Sequence, residues 1–287
     1  MFSISLEQNQ YKTYILGDRQ TKISVVPERG GIITRWQVQG QDIFYLDEER
    51  FTHPELSVRG GNPILFPICG NLPDNIYTYQ GQEYTLKQHG FARDLPWEVE
   101  EVQADNLTYL TLHLHSSEQT KAVYPFEFHL AFSYILSDDS LEIRQTFTNH
   151  SSQPMPFSVG FHPYLIVGDK NQLELTIPSA EYQDQKTKEY QPFSGNFDWE
   201  RDEIDVAFKK LEGKSATVTD HSRRLKLTLE ADDIFSTFVF WTLKGKDFYC
   251  IEPWSAPRNA INTGEKLSIL ESGGSLTASC KLIANFF

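Results

Sequence analysis

Cysteine is scarce in this 287-residue chain. Cys69, Cys250 and Cys280 are odd in number and show no C-x-x-C spacing, so they offer neither a disulfide framework nor a zinc site. Cys250 and Cys280 sit in apolar alternating runs, where buried, reduced thiols are expected. Basic residues are also outnumbered: 26 Lys and Arg against 39 Asp and Glu give a net charge of -13. Nucleic acid and anionic lipid both demand a basic face, so neither is expected as a partner. No apolar run is long enough to span a bilayer. The opening MFSISLEQNQYK has no basic segment followed by an apolar one, so it does not read as a signal peptide, and a cytoplasmic location is expected. The glycosylation-type triplets at Asn106 and Asn149 are then coincidental. GxGxxG, Walker A, GxSxG and HExxH are all missing, and no extended segment keeps a 3.6-residue period.

What is present is a period of two. Thr108–His115, Phe128–Leu136, Leu141–Thr148, Leu173–Ile177, Leu225–Glu230, Phe235–Trp241 and Leu276–Ile283 alternate apolar and polar residues between turn-forming clusters. Tyr134–Leu136 and Leu141–Ile143, joined by Ser-Asp-Asp-Ser, read as a hairpin, and Tyr79–Tyr84 reads as another. With 39% hydrophobic and 13% aromatic residues the chain can fill a sizeable core. The pattern predicts an all-β fold, a large antiparallel β-sandwich forming one domain over residues 1–287. The polar, turn-rich stretch Asp184–Asp202 reads as a long loop, a common carrier of function.

Five segments offer chemistry. In DFYCIEPWSAP, a strand delivers Glu252, and Pro253 is expected to end that strand beside it. Trp254 next to the acid supplies a ring suited to stacking on a pyranose. Val58–Pro67 presents Arg59 from a loop loosened by two glycines and stiffened by two prolines. Gln88–Asp94 holds His89 at a strand end with Arg93 four residues on. In Gly160–Leu165, Pro163 pushes His162 toward extended backbone, and flanking aromatics restrict its ring, as a proton donor requires. Asp205 lies in a short apolar run, where it serves either as an acceptor for sugar hydroxyls or as a turn cap. His113 and His115 share one strand face, a possible metal site, but with no third ligand evident the expected reading is a solvated face and no bound metal.

The order RGGNPILFP, QHGFARD, GFHPYL, IDVAF, CIEPW, spanning roughly Gly30 to Gly264, resembles the aldose 1-epimerase (galactose mutarotase-like) superfamily. It is most similar to the branch of LacX-like proteins and hexose-6-phosphate 1-epimerases, in which HGFAR replaces LHGG. The resemblance implies a β-supersandwich with an open sugar cleft. It matches His162 to a general acid that protonates the ring oxygen and Glu252 to a general base on the anomeric hydroxyl. It matches His89 to a second histidine bonding the sugar near that oxygen, Asp205 to a hydroxyl acceptor, and Arg59 and Arg93 to phosphate ligands. Asn71 departs from the pattern: related sequences often carry arginine after this glycine, so a sugar held here loses a long cationic arm. The implied function is interconversion of the α and β anomers of an aldohexose or hexose 6-phosphate, without metal, nucleotide or other cofactor. The implied partner is a small sugar or sugar phosphate, and the chain is expected to be a monomer or weak homodimer. Two alternatives remain: a non-catalytic sugar-binding protein, which Asn71 favours, and a glycosidase pairing Asp205 with Glu252.

Overall fold

The structure, a computed structural model, describes residues 3–104 and 107–287; Asn106 lies outside them. Every ladder between described strands is antiparallel, as the alternating patterns require. A back sheet of eight strands runs, edge to edge, through Leu173–Thr176, Ser215–Asp220, Leu225–Ala231, Ser275–Phe286, Ser140–Asn149, Phe128–Ser137, Thr108–His115 and Glu98–Ala104. A second eight-stranded sheet, which carries the site, has Glu203–Phe208, Thr237–Leu243 and Phe248–Trp254 as consecutive neighbours. A five-stranded meander of residues 3–42 completes the N-terminal part. The two hairpins read from sequence are present, with Ser137 paired to Ser140 and Tyr79 to Gln82.

The sheets meet through aromatic rings. Phe66 follows a site-sheet strand, and its ring lies 5.3 Å from that of Phe128 and 6.2 Å from that of Phe147 in the back sheet. Phe161 of the site sheet reaches Phe132 at 6.0 Å. These rings belong to one buried cluster that extends from Leu16 to Ala284. Among the described residues no helix is long and apolar enough to cross a membrane.

Two expectations need correction. The strand carrying Glu252 does not stop there but runs through Pro253 to Trp254. The stretch Asp184–Asp202 is not wholly loop: Tyr190–Pro192 folds back as a strand on Glu181–Asp184, and Arg201 ties to Asp184. Backbone hydrogen bonding within that hairpin outweighed the turn-rich composition.

Candidate active site

One strand of the site sheet is interrupted opposite Glu252. Phe248–Trp254 pairs Trp254 with Gly160 and Cys250 with Tyr164. Between those two pairs His162 and Pro163 leave the ladder, and the shared register sets His162 directly opposite Glu252. Pro253 is tolerated inside its strand because it falls beside this gap, where the neighbouring strand is broken. Side chains alternate across a strand, so burying Phe161 and Ile251 in the core turns His162 and Glu252 to the other face.

His162 Nε2 lies 3.4 Å from Glu252 Oε1, and Trp254 Nε1 donates to Glu252 Oε2 at 3.0 Å. The His162 ring stacks on Tyr164, centroids 4.7 Å apart, which fixes its plane. Glu252 is only 1% exposed, and burial, with the Asp205 charge second, holds its carboxyl well above the ordinary range. Burial first, then the Arg93 charge, pushes His162 down to about 3. His162 Nδ1 has no partner among the described residues. Both shifts run toward the uncharged forms, a protonated carboxyl on Glu252 beside a neutral His162.

His89, 4% exposed, is locked by Gly70. Its backbone N–H donates to the Gly70 carbonyl at 2.7 Å, and the Gly70 N–H donates to its Nδ1 at 3.1 Å. This two-way tie holds His89 at a φ of 66°, a left-handed backbone uncommon for a residue with a Cβ. It also leaves the ring proton on Nε2, which lies 3.2 Å from the Gln88 side-chain amide. Burial, then Arg93, holds His89 well below its ordinary value, so it is a neutral donor, 5.6 Å centroid to centroid from His162.

Asp205 sits in mid-strand, which excludes the turn-cap role. Both its oxygens accept from Arg258 Nη2, at 2.9 and 2.8 Å. The same guanidinium donates through Nη1 to Asn71 Oδ1 at 3.1 Å and lies over the Trp254 ring, 5.6 Å from its centroid. Its stem passes over Gly70: a Cβ at that position would meet Arg258 Cγ at 2.3 Å, and the φ there is 75°. The position expected to lack a cation next to Gly70 is therefore served by Arg258.

These groups enclose a cavity of about 370 Å³, a size fit for a small ligand. His89, His162, Glu252, Asp205, Arg59 and Arg93 all line it, whereas Asn71 does not and acts on it through Arg258. Arg50 and Arg258 join Arg59 and Arg93 on its wall, so the cavity is locally cationic in an acidic protein. A larger depression of about 680 Å³ beside the N-terminal strands has no histidine in its wall. None of the Asp184–Asp202 stretch lines the 370 Å³ cavity. Trp254 is 1% exposed and covered by Arg258, so it positions Glu252 rather than offering its face to a sugar. The half-buried ring on the cavity wall is Trp241, T-shaped to His162 at 5.6 Å. Sequence reasoning missed Arg50, Trp241 and Arg258. Arg258 follows directly on the Glu252 segment, but no local pattern announces that its side chain returns to Gly70.

Known proteins are similar to this chain in sequence or in structure. The plasmid-encoded LacX protein of Lactococcus lactis subsp. lactis is 24% identical over 288 aligned positions, 91% of this chain and 90% of its own. A candidate glucose-6-phosphate 1-epimerase of Cenchrus ciliaris is 26% identical over 78% of this chain and 72% of its own. The crystal structure of the Slr1438 protein from Synechocystis sp. PCC 6803 matches with a TM-score of 0.95 at 45% identity, both chains covered in full. A galactose mutarotase-like protein from Clostridium acetobutylicum matches at 0.85 with 19% identity, covering 100% of this chain and 99% of that one, which shows a common fold. The model of the family described as aldose 1-epimerase matches residues 12–282, and the chain belongs to that family.

Proposed function

We propose that the protein interconverts the α and β anomers of an aldohexose by acid–base ring opening and closing. The observation that carries this reading is the opposed pair His162 and Glu252, 3.4 Å apart on an arginine-lined cavity. Mutarotation adds a proton to the ring oxygen and removes one from the anomeric hydroxyl, so a pair holding a single proton has the right count. In the sugar-free cleft Glu252 carries that proton. Sugar hydroxyls that bond the carboxylate stabilise its charged form and let the proton pass to His162. His162 then protonates the ring oxygen while Glu252 accepts the anomeric proton, and the C1–O5 bond opens to the aldehyde. Rotation about C1–C2 and the reverse transfers close the other anomer. His89 donates from Nε2 to the sugar near the ring oxygen, and Asp205, held by Arg258, accepts a hydroxyl hydrogen.

Arg59 and Arg93, with Arg50 beside them, support a hexose 6-phosphate as the substrate, its phosphate bound between the first two. The Cenchrus ciliaris relative is named for that chemistry. Asn71 no longer favours a binding-only protein, because Arg258 supplies the cation. Anomer exchange measured by NMR on glucose, galactose and glucose 6-phosphate tests the proposal. The expected result is fast exchange by the wild type, a preference for glucose 6-phosphate, and a loss of roughly 100- to 10,000-fold in His162→Ala and Glu252→Gln. Exchange by His162→Ala at the wild-type rate overturns the acid assignment. Sugar binding by the wild type without rate enhancement overturns the enzyme.

A further inference from the structure

The outer face of the back sheet gathers histidines that mutarotation does not use. Of the eight histidines in the chain, His113, His115, His129 and His150 fall on this one patch. Leu110, Leu112 and Leu114 turn into the core, so alternation sends His113 and His115 outward. Phe128–Ser137 pairs His129 with His115 and sets Ala131 opposite His113. The small alanine leaves the His129 ring free to lean diagonally onto His113, and their Nε2 and Nδ1 atoms meet at 2.8 Å. The His115 ring stacks on His129 with centroids 4.4 Å apart. One ring nitrogen from each of His113, His115 and His129 lies within 4.8 Å of the other two. The third ligand that sequence spacing did not reveal is therefore His129, brought from the neighbouring strand.

A second, independent feature points the same way. Glu98–Ala104 pairs Val99 with Leu112 and Glu101 with Thr111, leaving Glu100 as an extra, bulged residue. Its carboxylate contacts His113 Nε2. A carboxylate there favours the Nε2–H form of His113, so Nδ1 is a bare lone pair directed at His129. A carboxylate beside the far ring nitrogen is the pairing by which metal-ligating histidines are oriented.

We propose that His113, His115 and His129 bind one divalent transition-metal ion of the imidazole-preferring class, with zinc as the expected occupant and Glu100 orienting His113. Three neutral imidazoles and an open outer side suit zinc, cobalt or nickel with water in the remaining position. On binding, the proton between His129 and His113 leaves Nε2 of His129 while Nδ1 of the same ring takes one up, so the ring stays neutral and the lone pairs of His129 Nε2 and His113 Nδ1 pass to the ion. The core lies between this patch and the sugar cavity, so the ion takes no part in ring opening.

The test is titration of the full-length protein, free of any histidine tag, with Co²⁺ followed by visible absorption and with Zn²⁺ by calorimetry. The expected result is one equivalent bound, with a cobalt spectrum typical of nitrogen ligation that Zn²⁺ abolishes. His129→Gln is expected to abolish that spectrum, and Glu100→Gln to weaken binding roughly ten- to a hundred-fold. His221→Gln, in the turn after Ser215–Asp220, leaves binding unchanged, and His129→Gln leaves anomer exchange unchanged. The wild-type titration stands even if a variant fails to fold. Failure of the wild type to take up one equivalent overturns the proposal. So does binding that survives His129→Gln, since His162, Cys250 and Glu252 also bring donor atoms within 4.8 Å of one another.

Discussion

Arg258 holds both oxygens of Asp205, reaches Asn71 and crosses the face of Trp254. Removing it leaves the half-buried Asp205 carboxylate without its partner. Hydrogen bonds to charged groups are worth about 1.5–3 kcal/mol, so Arg258→Ala is expected to lower kcat/KM at least tenfold, whereas Asn71→Ala changes it little. Asn71→Arg in the Arg258→Ala background is expected to recover part of the loss, because position 71 already meets the guanidinium; steady-state kinetics on the four proteins checks this. The pair of His162 and Glu252 has its own signature. His162 is pushed down to about 3, so a second proton enters the pair only there. The rate is therefore expected to hold across the usual histidine range and to fall as pH drops through about 3; an acid limb near 6.5 instead would show that His162 is not desolvated as described. The identities of His89, His162, Glu252 and Asp205 were legible in the chain because each sits in a short motif fixed by Gly, Pro or strand alternation. Arg258 was not, because a long flexible side chain leaves no periodic trace of where it ends.

At the scale of elements, the site depends on a broken strand and a tight turn. The gap at His162–Pro163 lets two side chains face each other across a register that otherwise binds backbone to backbone. The Gly70 turn ties His89 in a left-handed backbone and makes room for Arg258. Gly70→Ala places a methyl group 2.3 Å from Arg258 Cγ in a conformation unfavourable to alanine. It is expected to cost roughly 1 kcal/mol or more of stability and to lower activity further by displacing Arg258. Denaturant unfolding beside kinetics separates the two effects, since a loss of stability alone would leave kcat/KM intact. Strand existence was readable from alternation, as for Thr108–His115, whose bounds agree with the pattern. The continuation of a strand through Pro253 was not, because proline's missing N–H matters only where a neighbour asks for it.

At the scale of the molecule, one buried cluster from Leu16 to Ala284 underlies both sheets. We propose that the whole chain unfolds as one domain, and a single coincident transition by fluorescence and circular dichroism is the expected result. Its stability depends on pH in a stated direction. His162 falls from 6.5 to about 3 on folding, so between those values the unfolded chain binds a proton that the folded one refuses. That stability is present above 6.5 and lost as pH falls toward 3, and His89 acts in the same direction. Glu252, raised by burial, opposes them: its contribution is present below its ordinary 4.5 and lost as pH rises through its folded value. The wild type is expected to lose stability between about pH 7 and about pH 5, and His162→Gln to lose less, measured by urea unfolding. The sequence by itself determined the all-β architecture, because alternation dictates which face of each strand is apolar, and it named the residues held in local motifs. Tertiary structure alone decided which of them meet. Register set His162 against Glu252, a returning side chain supplied the arginine that position 71 lacks, and two neighbouring strands assembled three histidines, since contacts across strands depend on a pairing that no single segment encodes.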